Sequence, residues 1–251
     1  AKSIPQLADH TFVFEQIKKT QEVRFSALIP NEQGMQQALA AGVREIAIFT
    51  AASETFTQRN IHCSIAESMN RFKPVIALAQ HHGVTIRAYI SCVLGCPYEG
   101  AISPKTVAEI TRQFIDLGVD EVSFGDTIGV GTPMQTQHLL DEILTILPLH
   151  QLALHFHDTY GQAIANIHTA LTYGVHCFDS ALAGLGGCPY ARGASGNVAT
   201  EDVLYLMHGL GIDTGVDIYQ IVRIGEMICK IMDRENQSKV AKALLAQGCK
   251  P

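Results

Sequence analysis

Two spacings organise the apolar and polar positions of this chain. Four times an amphipathic run at helical spacing ends in Gly-Val and gives way to a short apolar run. Ala41-Gly42-Val43 precedes 45–49, and His82-Gly83-Val84 precedes 85–90. Leu117-Gly118-Val119 precedes 121–124, and Tyr173-Gly174-Val175 precedes 177–180. A glycine just past a helix end takes the left-handed conformation without a Cβ clash, so each pattern predicts a helix stop and then a strand. Further strands are predicted over 23–29 and 152–157. The tail, 216–249, predicts two helices broken at 233–238.

The predicted strands are rich in Val, Ile, Ala and Phe and are apolar on both alternating faces, as in parallel sheets covered by helices. Six strands alternating with helices give an α/β chain of βα units. Polar residues recur at the strand C-terminal ends: Ser91, Ser123 with Asp126, and His155 with His157. In a (β/α)8 TIM barrel those ends form the catalytic mouth. Six strands do not close such a barrel, so either two βα units are expected before residue 1 or the sheet is open. The expectation is a single catalytic TIM-barrel domain over 1–251, incomplete at its N-terminus.

Composition narrows the function classes. Of 251 residues 47% are apolar, which argues against disorder. Eighteen basic against twenty-four acidic residues give a net charge of −6, with no basic patch, so neither a nucleic-acid nor a membrane partner is indicated. No apolar stretch reaches membrane-spanning length, and the first residues lack the order of a signal peptide. The seven cysteines are scattered and odd in number, which fits a reducing compartment better than a disulfide scaffold. No GxGxxG or GxxxxGK[ST] follows a strand, so dinucleotide and P-loop readings lack their main support.

Three segments carry candidate chemistry. In Leu154-His155-Phe156-His157-Asp158-Thr159 the two histidines share one face of a strand and can aim at one point. Two imidazoles with oxygen donors suit a divalent metal. A lone HxH pair is more often core or surface, and its place at a strand end favours the ligand reading. In the glycine-rich stretch 183–197, Cys188 sits between Gly187 and Pro189, where a thiol with a lowered pKa can act as acid or nucleophile; the alternative is an inert connector. Asn197 offers a neutral oxygen to a metal, or serves as a turn residue or N-cap of a helix near Ala199. In Ser123-Phe124-Gly125-Asp126-Thr127-Ile128-Gly129, Asp126 is either a base or a carboxylate supporting a metal ligand at a strand end, or an N-cap. Cys92 and Cys96 read as buried thiols near the mouth, and His81, His82 and His138 as helix-surface residues.

Together these motifs resemble the 3-hydroxy-3-methylglutaryl-CoA lyase family of metal-dependent TIM barrels, also called DRE-TIM metallolyases. The similarity runs from Pro5 to about Lys250 and rests on Ala51-Ala52-Ser53-Glu54, 95–100, 125–133, 157–162 and the cysteine loop through Asn197 to Thr200-Glu201-Asp202. HxHD and GN-x-x-TE are shared with isopropylmalate and homocitrate synthases, whereas Gly-Leu-Gly-Gly-Cys-Pro-Tyr-Ala is more particular to the lyases. The resemblance implies cleavage of 3-hydroxy-3-methylglutaryl-CoA to acetyl-CoA and acetoacetate, in leucine degradation and ketone-body formation. It implies Mg2+ or Mn2+ held by His155, His157 and Asn197, and Cys188 as the acid. Asp126 and His155 would form the proton-transfer set, Ser123 and Thr127 would line the substrate pocket, and Asn60 would touch the CoA part. It also implies a homodimer, located in the cytoplasm of a bacterium or the mitochondrial matrix of a eukaryote.

The chain departs from the family pattern in three places. The family's Arg-Asp pair on the opening strand and Glu on the second would precede residue 1. The segment Asp233-Arg234-Glu235-Asn236 differs from the family's CoA-contacting stretch, and Cys249-Lys250-Pro251 is not a peroxisome-type ending. The rival readings are a condensing synthase on the same barrel and an inactive fragment.

Overall fold

The structure is a computed structural model, and it describes residues 9–17, 20, 23–187 and 196–248. Six parallel strands lie side by side in chain order: β1 (Ser26–Leu28), β2 (Glu45–Ala51), β3 (Thr85–Ser91), β4 (Glu121–Asp126), β5 (Leu152–Phe156) and β6 (Phe178–Asp179). This is a half-barrel of the α/β class. Helix α1 (His10–Gln16) precedes β1, α2 (Glu32–Ala40) joins β1 to β2, and α3 (Glu54–Ile61) with α4 (Ile65–His81) joins β2 to β3. Helices α5 (Pro104–Asp116), α6 (Pro133–Ile143) and α7 (Ala163–Thr172) make the next three crossovers. Helices α8 (Thr200–Gly209), α9 (Ile218–Ile231) and α10 (Lys239–Ala246) follow β6, with the tail breaking between α9 and α10 as its composition predicts.

The Gly-Val repeat is one device used four times. Gly42, Gly83, Gly118 and Gly174 all have positive φ, between 63° and 85°. At each, the glycine N–H and the valine N–H donate back to carbonyls of the last helical turn, as in Val43 to Ala38 at 3.0 Å and Val84 to Ala79 at 2.9 Å. This closes the orphan carbonyls and turns the chain into the next strand. All four valines are buried. A fifth copy, Leu210-Gly211-Ile212, ends α8 with Ile212 N–H on Met207 at 2.9 Å and leads to α9 instead of a strand.

Strand alternation splits the sheet into two faces. Ile86, Ala88, Ile90, Val122, Phe124, Leu152, Leu154 and Phe156 are buried and belong to one continuous core with Val107, Ile110, Phe114, Leu139, Leu140, Ile143 and Ile167 of α5, α6 and α7. Burying each Val, Leu, Ile or Phe side chain of this set contributes about 1.5–3 kcal/mol. The alternate positions, Arg87, Tyr89, Glu121, Ser123, His155 and Asp179, fall on the opposite, barrel-interior face, and most are polar.

Two strands are shorter than their sequence suggests. The ladder over 23–29 is confined to Ser26–Leu28, because only Ser26, Ala27 and Leu28 pair with β2, and Val23 and Leu28 lie exposed at the edge. The last strand pairs through Phe178 and Asp179 alone. His157 leaves the β5 ladder and bridges to Asn197 instead. Among the described residues no helix is long and apolar enough to cross a membrane.

Candidate active site

The segment 196–199 threads across the C-terminal ends of β5 and β6. Val198 N–H donates to Phe156 at 3.1 Å and Ala181 N–H to Val198 at 3.1 Å, which brings Asn197 into an antiparallel bridge with His157. Asn197 Nδ2 donates to the Leu185 carbonyl at 2.8 Å. Gly186, at φ 94°, permits this approach, since a Cβ there would stand 2.6 Å from Asn197 Nδ2. With the amide nitrogen fixed, Oδ1 is buried without a hydrogen-bond partner, and so is Nδ1 of His157. The His155 and His157 ring centroids lie 5.4 Å apart. Burial, then the charge of His155, lowers the His157 pKa from 6.5 to about 4 against the opposing pull of the Asn197 side chain and the Thr127 backbone, so its imidazole is neutral at pH 7, the form that ligates metals.

Two buried polar atoms without a hydrogen bond, one imidazole nitrogen and one amide oxygen, beside a second imidazole have the chemistry of a donor set for a divalent cation. Among the described residues no three His, Cys, Asp or Glu side chains cluster to hold a metal, and this set consists of two imidazoles and one amide. Asn197 does not cap a helix: the residue before α8 is Ala199.

On the interior face, Ser123 Oγ donates to Asp179 Oδ2 at 3.0 Å, and His155 Nδ1 lies 3.3 Å from the same oxygen. Thr127 Oγ1 accepts from the Cys92 N–H at 2.7 Å, tying the ends of β3 and β4 together. Asp126 alternates onto the opposite face from Ser123 and is fully buried. Its Oδ1 accepts from Val130 N–H at 3.2 Å and Oδ2 from Gly131 N–H at 2.9 Å, so it braces the turn carrying Thr127. It is not an N-cap, a place taken by Thr132 ahead of α6. Burial raises its pKa to about 6, against the opposing pull of the Gly131, Val130 and Gly129 amides and of His155.

Asn60 lies half-buried in the last turn of α3, the helix that follows the C-terminal end of β2. Arg59 beside it stacks over Tyr98 at 4.4 Å. Cys92 and Cys96 are buried as expected, Cys96 Sγ donating to Ser53 Oγ at 3.0 Å. His81, His82 and His138 are exposed. Cys188 lies outside the described residues.

The stem of the glycine-rich stretch is well anchored. Both oxygens of the buried Glu201 accept from Ala183 N–H, at 3.1 and 2.9 Å, and Ala183 itself has φ 55°. Its carbonyl accepts from Gln237 N–H at 3.2 Å, so the segment before α10 supports the same turn. Burial pushes the Glu201 carboxyl up, partly offset by these bonds.

Comparison with known proteins decides the family. A family model described as HMGL-like matches residues 3–228. The chain belongs to the HMGL-like family.

Its relatives within and around that family are close. The chain is 53% identical over 96% of its length to the cytoplasmic 3-hydroxy-3-methylglutaryl-CoA lyase of Mus musculus, and spans 70% of that protein. It is 53% identical over 98% of its length to the 3-hydroxy-3-isohexenylglutaryl-CoA/hydroxy-methylglutaryl-CoA lyase of Pseudomonas aeruginosa, spanning 82%. The crystal structure of hydroxymethylglutaryl-CoA lyase from Pseudomonas aeruginosa superposes with a TM-score of 0.95 at 53% identity, covering 98% of this chain and 82% of that one.

Four residues of this HMGL-like chain that belong to no sequence motif join the site: Arg87, Glu121, Asp179 and Tyr89. Arg87 Nη1 is 2.9 Å from Asp179 Oδ1, and its Nε pairs with Glu121. Tyr89 stands edge-on to His155, with centroids 6.3 Å apart. The available signal was a charged or polar residue at alternate positions of an otherwise apolar strand, on the same face as Ser123 and His155.

Proposed function

We propose that this chain cleaves 3-hydroxy-3-methylglutaryl-CoA to acetyl-CoA and acetoacetate. The carrying observation is the His157–Asn197 pair beside His155, with two buried, orphaned ligand atoms, in a chain about half identical to proteins named as lyases of this substrate. His155, His157 and Asn197 would hold the cation, Mg2+ or Mn2+. Such an ion, when bound, supplies a Lewis acid that lowers the pKa of a substrate hydroxyl.

The chain's own groups do the rest. Asp126 and His155 would form the proton-transfer set, Asp126 acting from behind the end of β4, where burial raises its pKa to about 6. As the 3-hydroxyl proton leaves, its oxygen becomes the ketone of acetoacetate, and the electron pair of the broken C–C bond goes to the acetyl-CoA enolate. Cys188 gives its thiol proton to that carbon, and the resulting thiolate regains a proton from solvent. Ser123 and Thr127 line the acyl pocket, Thr127 held in place by Cys92 N–H. Asn60, in the last turn of α3, contacts the CoA portion. The working unit is a single catalytic domain that associates as a homodimer, in the cytoplasm of a bacterium or the mitochondrial matrix of a eukaryote.

The test is a coupled assay with Mg2+ or Mn2+. Acetoacetate and acetyl-CoA in equal amounts from the hydroxymethylglutaryl thioester support the proposal. CoA release from acetyl-CoA plus an oxo-acid, without acetoacetate from the thioester, would replace it with a synthase.

A further inference from the structure

A line of charge crosses the floor of the half-barrel. Glu121 of β4 pairs with Nε of Arg87, and Nη1 of Arg87 reaches Asp179 Oδ1 at 2.9 Å. Asp179 Oδ2 then serves Ser123 Oγ at 3.0 Å and His155 Nδ1 at 3.3 Å. The register aligns these groups: Arg87 sits beside Glu121, and His155 is paired with Gly125 on one side and Asp179 on the other. All are interior-facing positions on adjacent strands, so rigid ladders hold the line. The side chains of Arg87 and Asp179 are 15% and 18% exposed, shielded enough for their attraction to escape most solvent screening.

An imidazole has two nitrogens, and the bond made by one decides what the other offers. A carboxylate accepting at Nδ1 keeps the proton there and leaves the lone pair on Nε2. We propose that Asp179 is a positioning residue: clamped on Oδ1 by Arg87, it fixes the orientation and tautomer of His155, so that Nε2 is the nitrogen presented to the divalent ion. Ser123 occupies the remaining lone pair of Oδ2 and stops the carboxylate from swinging away. Tyr89, edge-on at 6.3 Å, walls one side of the ring. Arg87 Nη1, 2.9 Å from Oδ1, sets a positive charge against the carboxylate and leaves Oδ2 to accept from Ser123 and His155. This assignment rests on the metal reading of His155 given above.

The test uses the full chain and two readouts that do not need turnover. Nitrogen-15 NMR of histidine-labelled apo-protein at pH 8, with the His155 signal assigned by its loss in His155→Gln, is expected to show the Nδ1–H tautomer alone. Asp179→Ala is expected to give mixed tautomers and to weaken Mn2+ binding, read by electron paramagnetic resonance, by roughly 10–100-fold, the range for removing a partner of a metal ligand. Asp179→Asn keeps an acceptor oxygen and is expected to recover most of the affinity. Arg87→Gln, which loosens the clamp without removing the carboxylate, should fall between wild type and Asp179→Ala. A folded Asp179→Ala with wild-type Mn2+ affinity overturns the proposal. So does a wild-type His155 that carries its proton on Nε2, a result available even where Asp179→Ala fails to fold. A wild-type chain with the expected tautomer and Mn2+ affinity but no lyase activity sinks the proposed reaction and leaves Asp179 in its role.

Discussion

His157 and Asn197 meet across an antiparallel bridge at the end of β5, and each holds a buried polar atom without a hydrogen bond, Nδ1 on one and Oδ1 on the other. Burying such groups unpaired costs about 1–3 kcal/mol each, so a cation that both can ligate stabilises the fold as it binds. His157→Ala and Asn197→Ala are expected to lower Mn2+ affinity by more than the roughly 100-fold upper range for outer partners. Isothermal titration checks this. Wild-type affinity in either variant removes that residue from the donor set.

The same burial makes the apo-protein sensitive to acid. Folded His157 titrates at about 4 against 6.5 for an unperturbed histidine, so the unfolded chain takes up the proton first. Stability from the neutral ring is complete above pH 6.5 and is lost as pH falls through that window to about 4. The loss is about 3 kcal/mol at 1.36 kcal/mol per pH unit. Asp126 acts oppositely: its raised pKa makes the folded state gain stability as pH falls from about 6 towards 3.8. Urea denaturation of wild type and His157→Gln between pH 7 and 4 separates the two. The difference between them should shrink on acidification, and a constant difference would refute the assignment.

Cys188→Ser in the metal-loaded protein is expected to lower kcat by roughly 10²–10⁴-fold, the scale of a lost general acid. Mn2+ affinity should remain within twofold. Parallel loss of metal binding would make the loop part of the metal site's architecture and strip Cys188 of its proton-donating role.

Gly225 of α9 lies against the Glu201 anchor. A Cβ at this position would stand 2.6 Å from Glu201 Oε1 and 3.3 Å from Asn236 Nδ2. Gly225→Ala is therefore expected to displace the carboxylate and cost about 1–3 kcal/mol through overpacking. At roughly 2–4 °C per kcal/mol for a chain of this size, calorimetry should show a clear drop in Tm. An unchanged Tm would mean that the anchor yields without cost.

Four helix stops and the existence and order of six strands follow from local chemistry. Glycine in the left-handed region, a buried Val after it and an apolar run beyond act within a few residues, so they are visible in the sequence. The paired aim of His155 and His157 is equally local, because strand geometry puts residues i and i+2 on one face. The sequence also carries the family resemblance that the HMGL-like match bears out over residues 3–228.

What tertiary structure alone decided is which residues meet. Asp126 and Ser123 belong to one short motif, yet alternation sends one to a turn of backbone amides and the other to Asp179. Arg87, Asp179 and His155 are far apart in the chain and carry no shared motif; parallel register on neighbouring strands makes them one network. Asn197 reaches His157 only because 196–199 crosses two strand ends. Local preference acts over a turn or a strand pair, whereas these contacts depend on how separate strands align, and that is settled by packing the whole sheet against its helices.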